Sequence, residues 1–106
     1  KTARKRWIAG ALKPSGEIII DEGAFKALKS GNSLLPAGIT KVNGEFERGD
    51  AIIVRCPNGR EIGRGISAYS ADDARRIMGN KTSEIETILG YRGRDEMVHR
   101  DDLALN

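Results

Sequence analysis

A chain of 106 residues has the length of one domain, enough to bury about two-thirds of its unfolded surface in a single core, and two full-sized domains are excluded. A hydrophobic share of 39% with thirteen glycines is ordinary for a globular chain and argues against disorder. Eighteen basic against fifteen acidic residues, net +3 with a pI near 9.2, invite a nucleic-acid reading.

The excess charge sits at the start. Lys1, Arg4, Lys5, Arg6 and Lys13 fall in the first sixteen residues, which hold no acid, so residues 17–106 carry a net charge of −2. Such a lead suits a solvated linker as well as a phosphate-binding arm, and the linker is the commoner case. The chain opens at Lys1 without Met inside a basic run, as expected of a piece cut from a longer protein. Trp7 to Leu12 follows as a short apolar stretch, expected to form a first strand. Pro14-Ser15-Gly16 then turns into Glu17-Ile18-Ile19-Ile20, a β-branched run that predicts a mostly buried strand. Asp21 is placed to cap a short helix over residues 22–30, with Ala24, Phe25 and Leu28 on one face, Lys26 and Lys29 on the other, and Gly31 as its stop.

The loop from Gly31 to Gly38 carries Leu34 and Leu35 side by side. Asn43-Gly44 predicts a tight turn between paired strands, Ile39–Val42 and the segment around Phe46. Arg48-Gly49-Asp50 makes the next turn, 51–55 the next strand, and Cys56-Pro57-Asn58-Gly59 another turn. Residues 61–69 alternate, with Ile62, Ile66 and Ala68 expected on one face. Four or five short strands at such spacing describe a small barrel or sandwich. Ser70-Ala71-Asp72-Asp73 and Ser83-Glu84-Ile85-Glu86 are capping boxes, predicting two helices that end at Gly79 and Gly90. The tail offers Met97-Val98 and Leu103-Ala104-Leu105 for docking.

Catalytic signatures are incomplete. His99-Arg100-Asp101 with Asn106 fits the spacing of a protein-kinase catalytic loop, yet no Gly-rich phosphate cover and no Asp-Phe-Gly accompanies it. Gly79-Asn80-Lys81-Thr82 lacks the glycines of a phosphate-binding loop, and Asn80-Lys81-Thr82 is a glycosylation sequon without a secretory signal beside it. His99 is the one histidine; near three carboxylates it reads as a surface or ion-paired residue, and Asp101 and Asp102 lack a second ligand cluster for a metal. Cys56, the one cysteine, lies in a strand-like run and can neither form an internal disulfide nor a thiolate cluster. No catalytic, cofactor or metal residue is therefore expected. No run approaches the ~18 apolar residues needed to span a bilayer, and a cytoplasmic location without membrane association is expected.

The Gly31–Gly38 loop is the more informative feature. Its glycines can bring backbone amides to phosphate oxygens, Ser33 can donate, and Lys26 and Lys29 can attract a phosphate chain. A purely structural loop, with Leu34 and Leu35 plugging a barrel mouth, is the favoured alternative, because Trp7, Phe25, Phe46, Tyr69 and Tyr91 are too scattered to form a stacking platform.

A short helix ending in Gly31, then Ser33-Leu34, Pro36-Ala37-Gly38-Ile39, Phe46, Gly49-Asp50 and a strand containing Gly65 resemble the PUA domain, an RNA-binding module. Arg4-Lys5-Arg6-Trp7-Ile8, Ser33 to Ile39, Ile88-Leu89-Gly90-Tyr91-Arg92 and His99-Arg100-Asp101-Asp102-Leu103 resemble the carboxy-terminal portion of the bacterial glutamate 5-kinase family. These resemblances imply a mainly β fold with short helices, a PUA-like pseudo-barrel of mixed strands with appended C-terminal helices. They divide the chain into a basic linker and first strand (1–16), a PUA core (17–80), and a C-terminal helix with docked tail (81–106). A parent enzyme that phosphorylates L-glutamate at the first step of proline biosynthesis is implied, with ATP and Mg²⁺ in an upstream kinase domain and an accessory, non-catalytic role here. Implied partners are that kinase domain, RNA at Lys26, Lys29, Gly31, Asn32, Ser33, Leu34 and Leu35, and a second copy in a homo-oligomer.

Overall fold

The computed structural model describes residues 3–10 and 13–106. Its centre is β1 (Gly16–Ile20), whose Ile18 and Ile20 have no exposed surface. One edge of β1 pairs antiparallel with β2 (Ile39–Gly44), the other parallel with β3 (Ala51–Arg55). Antiparallel β4 (Glu61–Ile66) and β5 (Leu103–Leu105) complete a mixed sheet in the order β2-β1-β3-β4-β5. The segments entering the two edge strands meet where Leu34 bridges Val98, and this closes the sheet into a pseudo-barrel around one apolar core.

The leading segment corrects an expectation. Residues Ala3–Gly10 form a helix, α1, rather than a strand; Ile8 is fully buried, and the helix packs against β4 and β5. One apolar side chain per two turns is enough to seat a helix, whereas a strand here would need alternate burial. Ala11 and Leu12 of the expected strand, and Lys1 and Thr2 before it, lie outside the described residues.

Asn43-Gly44 makes no hairpin. Both residues belong to β2, opposite Glu17 and Gly16, and the chain then leaves the sheet to bury Phe46. Gly16 makes room for that ring, since a Cβ there would stand 2.6 Å from Phe46 Cδ2. The hairpin falls instead between β3 and β4, where Cys56 N–H donates to the Arg60 carbonyl at 3.0 Å and Asn58 Oδ1 accepts from Arg60 N–H at 2.9 Å.

Along β4 and beyond, Ile62 is buried as expected, but Ile66 and Ala68 are half-buried. The fully covered positions are Gly63, Gly65, Ser67 and Tyr69. Apolar alternation misidentifies this face because glycines occupy it: a Cβ at Gly63 would lie 2.5 Å from the Ala104 carbonyl, and one at Gly65 2.6 Å from Val98 Cγ1. The missing side chains let β5 and Val98 approach.

Helix α2 spans Glu22–Lys29, and α3 (Ala71–Ile77) is capped as its sequence predicts, Ser70 Oγ accepting from Asp73 N–H at 3.2 Å. Asp73 carboxylate also accepts the Tyr91 hydroxyl at 2.5 Å, and this hydrogen bond pushes the Tyr91 phenol up to about 12. The second capping box does not form. Ser83 lies inside a 3₁₀ turn, Thr82–Glu84, that runs straight into α4 (Ile85–Leu89), so it cannot adopt the extended cap conformation. Gly90 ends α4 in the left-handed conformation, φ +82°.

Gly65→Val should cost about 1–3 kcal/mol by overpacking against Val98. The expected outcome is a lower urea midpoint with unchanged slope; an unchanged midpoint would refute the close approach of the tail.

Candidate functional site

Helix α2 begins with Asp21, whose Oδ1 accepts the Ala24 amide at 2.7 Å, and ends with Lys26 and Lys29 in its last turn, where cations suit the helix dipole. The chain reverses at Gly31, φ +88°, with its amide on the Leu28 carbonyl and the Asn32 amide on the Ala27 carbonyl, both at 3.0 Å. This double bond pattern is the glycine-type helix stop. It also takes part of the loop's amides out of reach of a phosphate. The Gly31 and Asn32 donors are spent inside the cap, and Leu34 N–H is spent on the Val98 carbonyl at 2.9 Å.

The remaining loop folds back onto the helix. A 3₁₀ turn over Pro36–Gly38 lays Gly38 on Ala24, where a Cβ would come within 2.5 Å of the Ala24 Cβ. Of the two leucines, Leu34 is core at 1% exposure and is withdrawn from any surface contact, while Leu35 stands out at 45%. Lys26, Lys29, Gly31 and Asn32 are exposed and Ser33 is half-buried, its Oγ accepting the Arg100 amide at 2.8 Å. Lys29 does not lie opposite the apolar face: its Nζ sits 4.5 Å above the Phe25 ring centroid, one turn back on the helix.

Open clefts flank α2 on both sides, and their charges differ. One, of about 540 Å³, is lined by small and apolar residues including Ala24, Ala27 and Leu35, with the carboxylates of Asp21 and Glu96 at its margin. On the other side two clefts of about 220 and 360 Å³ share Leu105. Arg100 and Lys5 line the first of these, Lys29 and Arg60 the second. Sequence reasoning does not find Arg60, Arg100 or Glu96, because they join the site only through tertiary contacts.

His99 serves its own turn. Its Nδ1 accepts the Asp101 amide at 3.1 Å and heads the 3₁₀ turn Arg100–Asp102 that leads into β5. The kinase-loop spacing thus falls on a structural turn. Cys56 is buried, with Sγ 2.8 Å from Asn58 Oδ1 in the β3–β4 turn. Among the described residues no group of three or more His, Cys, Asp or Glu could hold a metal ion, and no helix is long and apolar enough to cross a membrane.

The family model of the PUA domain matches residues 16–89, and the chain belongs to the PUA domain family. Two solved structures are similar: a PUA domain from Aeropyrum pernix in complex with tartrate, and a conserved PUA domain protein from Thermoplasma acidophilum. The first is 25% identical with TM-score 0.58, covering 81% of this chain and 43% of that one. The second is 27% identical with TM-score 0.52, covering 56% and 39%. Among curated proteins, the glutamate 5-kinase of Paramagnetospirillum magneticum is 60% identical over 105 residues, 99% of this chain and 28% of the relative. That of Nitrobacter winogradskyi is 62% identical over 104 residues, 98% and 27%. The chain therefore spans little more than a quarter of the relatives it matches.

Leu34→Ala should cost about 2–5 kcal/mol, as for a buried leucine. Leu35→Ala should stay within about 0.5 kcal/mol. Urea unfolding of the two variants checks the assignment; equal losses would refute it.

Proposed function

We propose that this chain is the accessory PUA domain at the carboxy-terminal end of a cytoplasmic glutamate 5-kinase. The observation that carries this reading is identity of about 60% running along almost the whole chain yet over only 28% of the relative. The remaining length of such a parent would supply the kinase domain, where ATP and Mg²⁺ bind. There a side-chain carboxylate oxygen of L-glutamate would attack the γ-phosphorus of ATP, giving L-glutamyl 5-phosphate and ADP, the first step of proline biosynthesis. This domain would act without chemistry of its own, through contact with the kinase domain, with a neighbouring subunit in a homo-oligomer, or with a regulatory ligand. Assay of the purified 106-residue chain with glutamate, ATP and Mg²⁺ should give ADP at the background rate. Turnover above background would overturn the non-catalytic assignment.

A second reading, RNA binding, is favoured by one observation: Lys26 and Lys29 stand exposed beside Gly31, around which the backbone is open. Single-stranded RNA held through phosphates should bind with a salt slope of about 0.7 per neutralised phosphate. Lys26→Glu with Lys29→Glu should flatten that slope by about 0.7 each, measured by fluorescence anisotropy. Salt-independent binding, or none at 50 mM salt, would refute this reading.

A further inference from the structure

We infer that α1 is a rigid joint to the kinase domain of the parent polypeptide, and that Trp7 is its anchor, docking into an apolar hollow ringed by carboxylates on that domain. The inference rests on the accessory-domain reading above and deepens it by naming the face through which the two domains touch.

Three observations carry it. The first is that the leading helix is seated. A free tether between domains is polar and solvated. Here α1 packs against β4, β5 and the turn Arg100–Asp102, with Ile8 fully buried. Lys5 is half-buried and lines a cleft together with Leu28 and Leu103. The helix therefore keeps one direction relative to the sheet, and its outward side chains are presented in one orientation.

The second observation is what it presents. Trp7, the one tryptophan of the sequence, is 52% exposed beside Ile8 at 0%. Arg6 and Gly10 are exposed with it, and the space at Gly10, one turn on, is open, since a Cβ there would meet nothing within 4 Å. A large ring with open space beside it on a fixed helix has the form of an interface anchor, the kind of residue that contributes most when a partner's pocket desolvates it. Of the other exposed large apolar side chains among the described residues, Tyr91 has its hydroxyl on Asp73 and Leu35 lines the large cleft beside α2. Trp7 lines none of the clefts described above.

The third observation is charge. The first turn of α1 brings in Arg4, Lys5 and Arg6 and no acid, the reverse of what the helix dipole favours at that end. Carboxylates on the docked surface would offset these cations, and this sets the chemistry of the hollow's rim. The occupant follows from length: a relative 60% identical over 99% of this chain extends far beyond it, the match covering only 28% of that relative. On the accessory-domain reading the kinase domain precedes α1 in the same polypeptide. Such a tethered domain is held at an effective concentration of order mM, so one buried anchor suffices where two free proteins would need a full-sized interface.

The test is hydroxyl-radical footprinting, with oxidation of Trp7 read by mass spectrometry in the full-length parent and in the 106-residue chain. Trp7 should oxidise about fivefold more slowly in the parent, as for a half-exposed ring taken into a desolvated pocket, while Tyr91 oxidises equally in both. Arg6→Glu should restore most of the lost Trp7 oxidation in the parent and leave it unchanged in the 106-residue chain, with circular dichroism unchanged. Equal Trp7 oxidation in the two proteins, or protection of Tyr91 instead, would overturn the joint and leave the accessory-domain reading intact. Protection lost on diluting the parent to monomers would assign Trp7 to a neighbouring subunit and overturn the joint as well. Protection that survives Arg6→Glu would overturn the carboxylate rim. A gene that encodes no kinase domain before Lys1 would overturn both the joint and the reading beneath it.

Discussion

The molecule depends on one backbone junction, the bridge of Leu34 to Val98. Leu34 N–H donates to the Val98 carbonyl at 2.9 Å, and its own carbonyl accepts from Met97 N–H at 2.8 Å. All three side chains are almost completely buried. A buried backbone polar group left unpaired costs as much as a lost hydrogen bond, so this crossing holds only if both partners arrive together. The loop after α2 and the approach to β5, more than sixty residues apart in the chain, are thereby fixed to one another. The same junction brings Arg100 to Ser33 and sets the walls of the clefts on the β5 side of α2. Fold and surface share a single constraint.

Elements specified by neighbouring residues were legible in the sequence. Three consecutive isoleucines placed β1; Asp21 and Gly31 bounded α2; Arg48-Gly49-Asp50 and Cys56 to Gly59 formed the expected turns. What misled depends on distant partners. Asn43-Gly44 has the chemistry of a hairpin turn, but β1 claims β2 as its neighbour and carries it through both residues. The inward face of β4 carries glycines because another strand occupies the volume that side chains would fill. Ser83 has the right spacing for a cap, yet the 3₁₀ turn that contains it begins one residue earlier, at Thr82.

At the site, exposure of Lys26 and Lys29 followed from helix periodicity, since polar residues outside an apolar stripe face water. The different fates of Leu34 and Leu35 did not, because only the tail's arrival decides which of two adjacent leucines turns inward. Nor did the spent amides of the loop. Arg60 and Arg100 are invisible to any local pattern, being separated by 40 positions and lining two clefts that share Leu105. The slight net negative charge of residues 17–106 therefore conceals an uneven surface, with Asp21 and Glu96 and no cation lining one cleft beside α2, while Lys29, Arg60 and Arg100 are among the residues lining the others.

The cover on the sheet's two borders has a consequence for life beside other chains. An edge strand is a template on which a foreign strand can assemble, and its danger grows with its length. Here one border of the sheet, β5, has α1 packed against it, while the other border, β2, has α3 against it and a lysine, Lys41, exposed along it. Each border strand of the sheet thus has a helix packed against it. A domain so finished can be joined to a larger polypeptide, or crowded among copies of itself, with little tendency to recruit strands into aggregates.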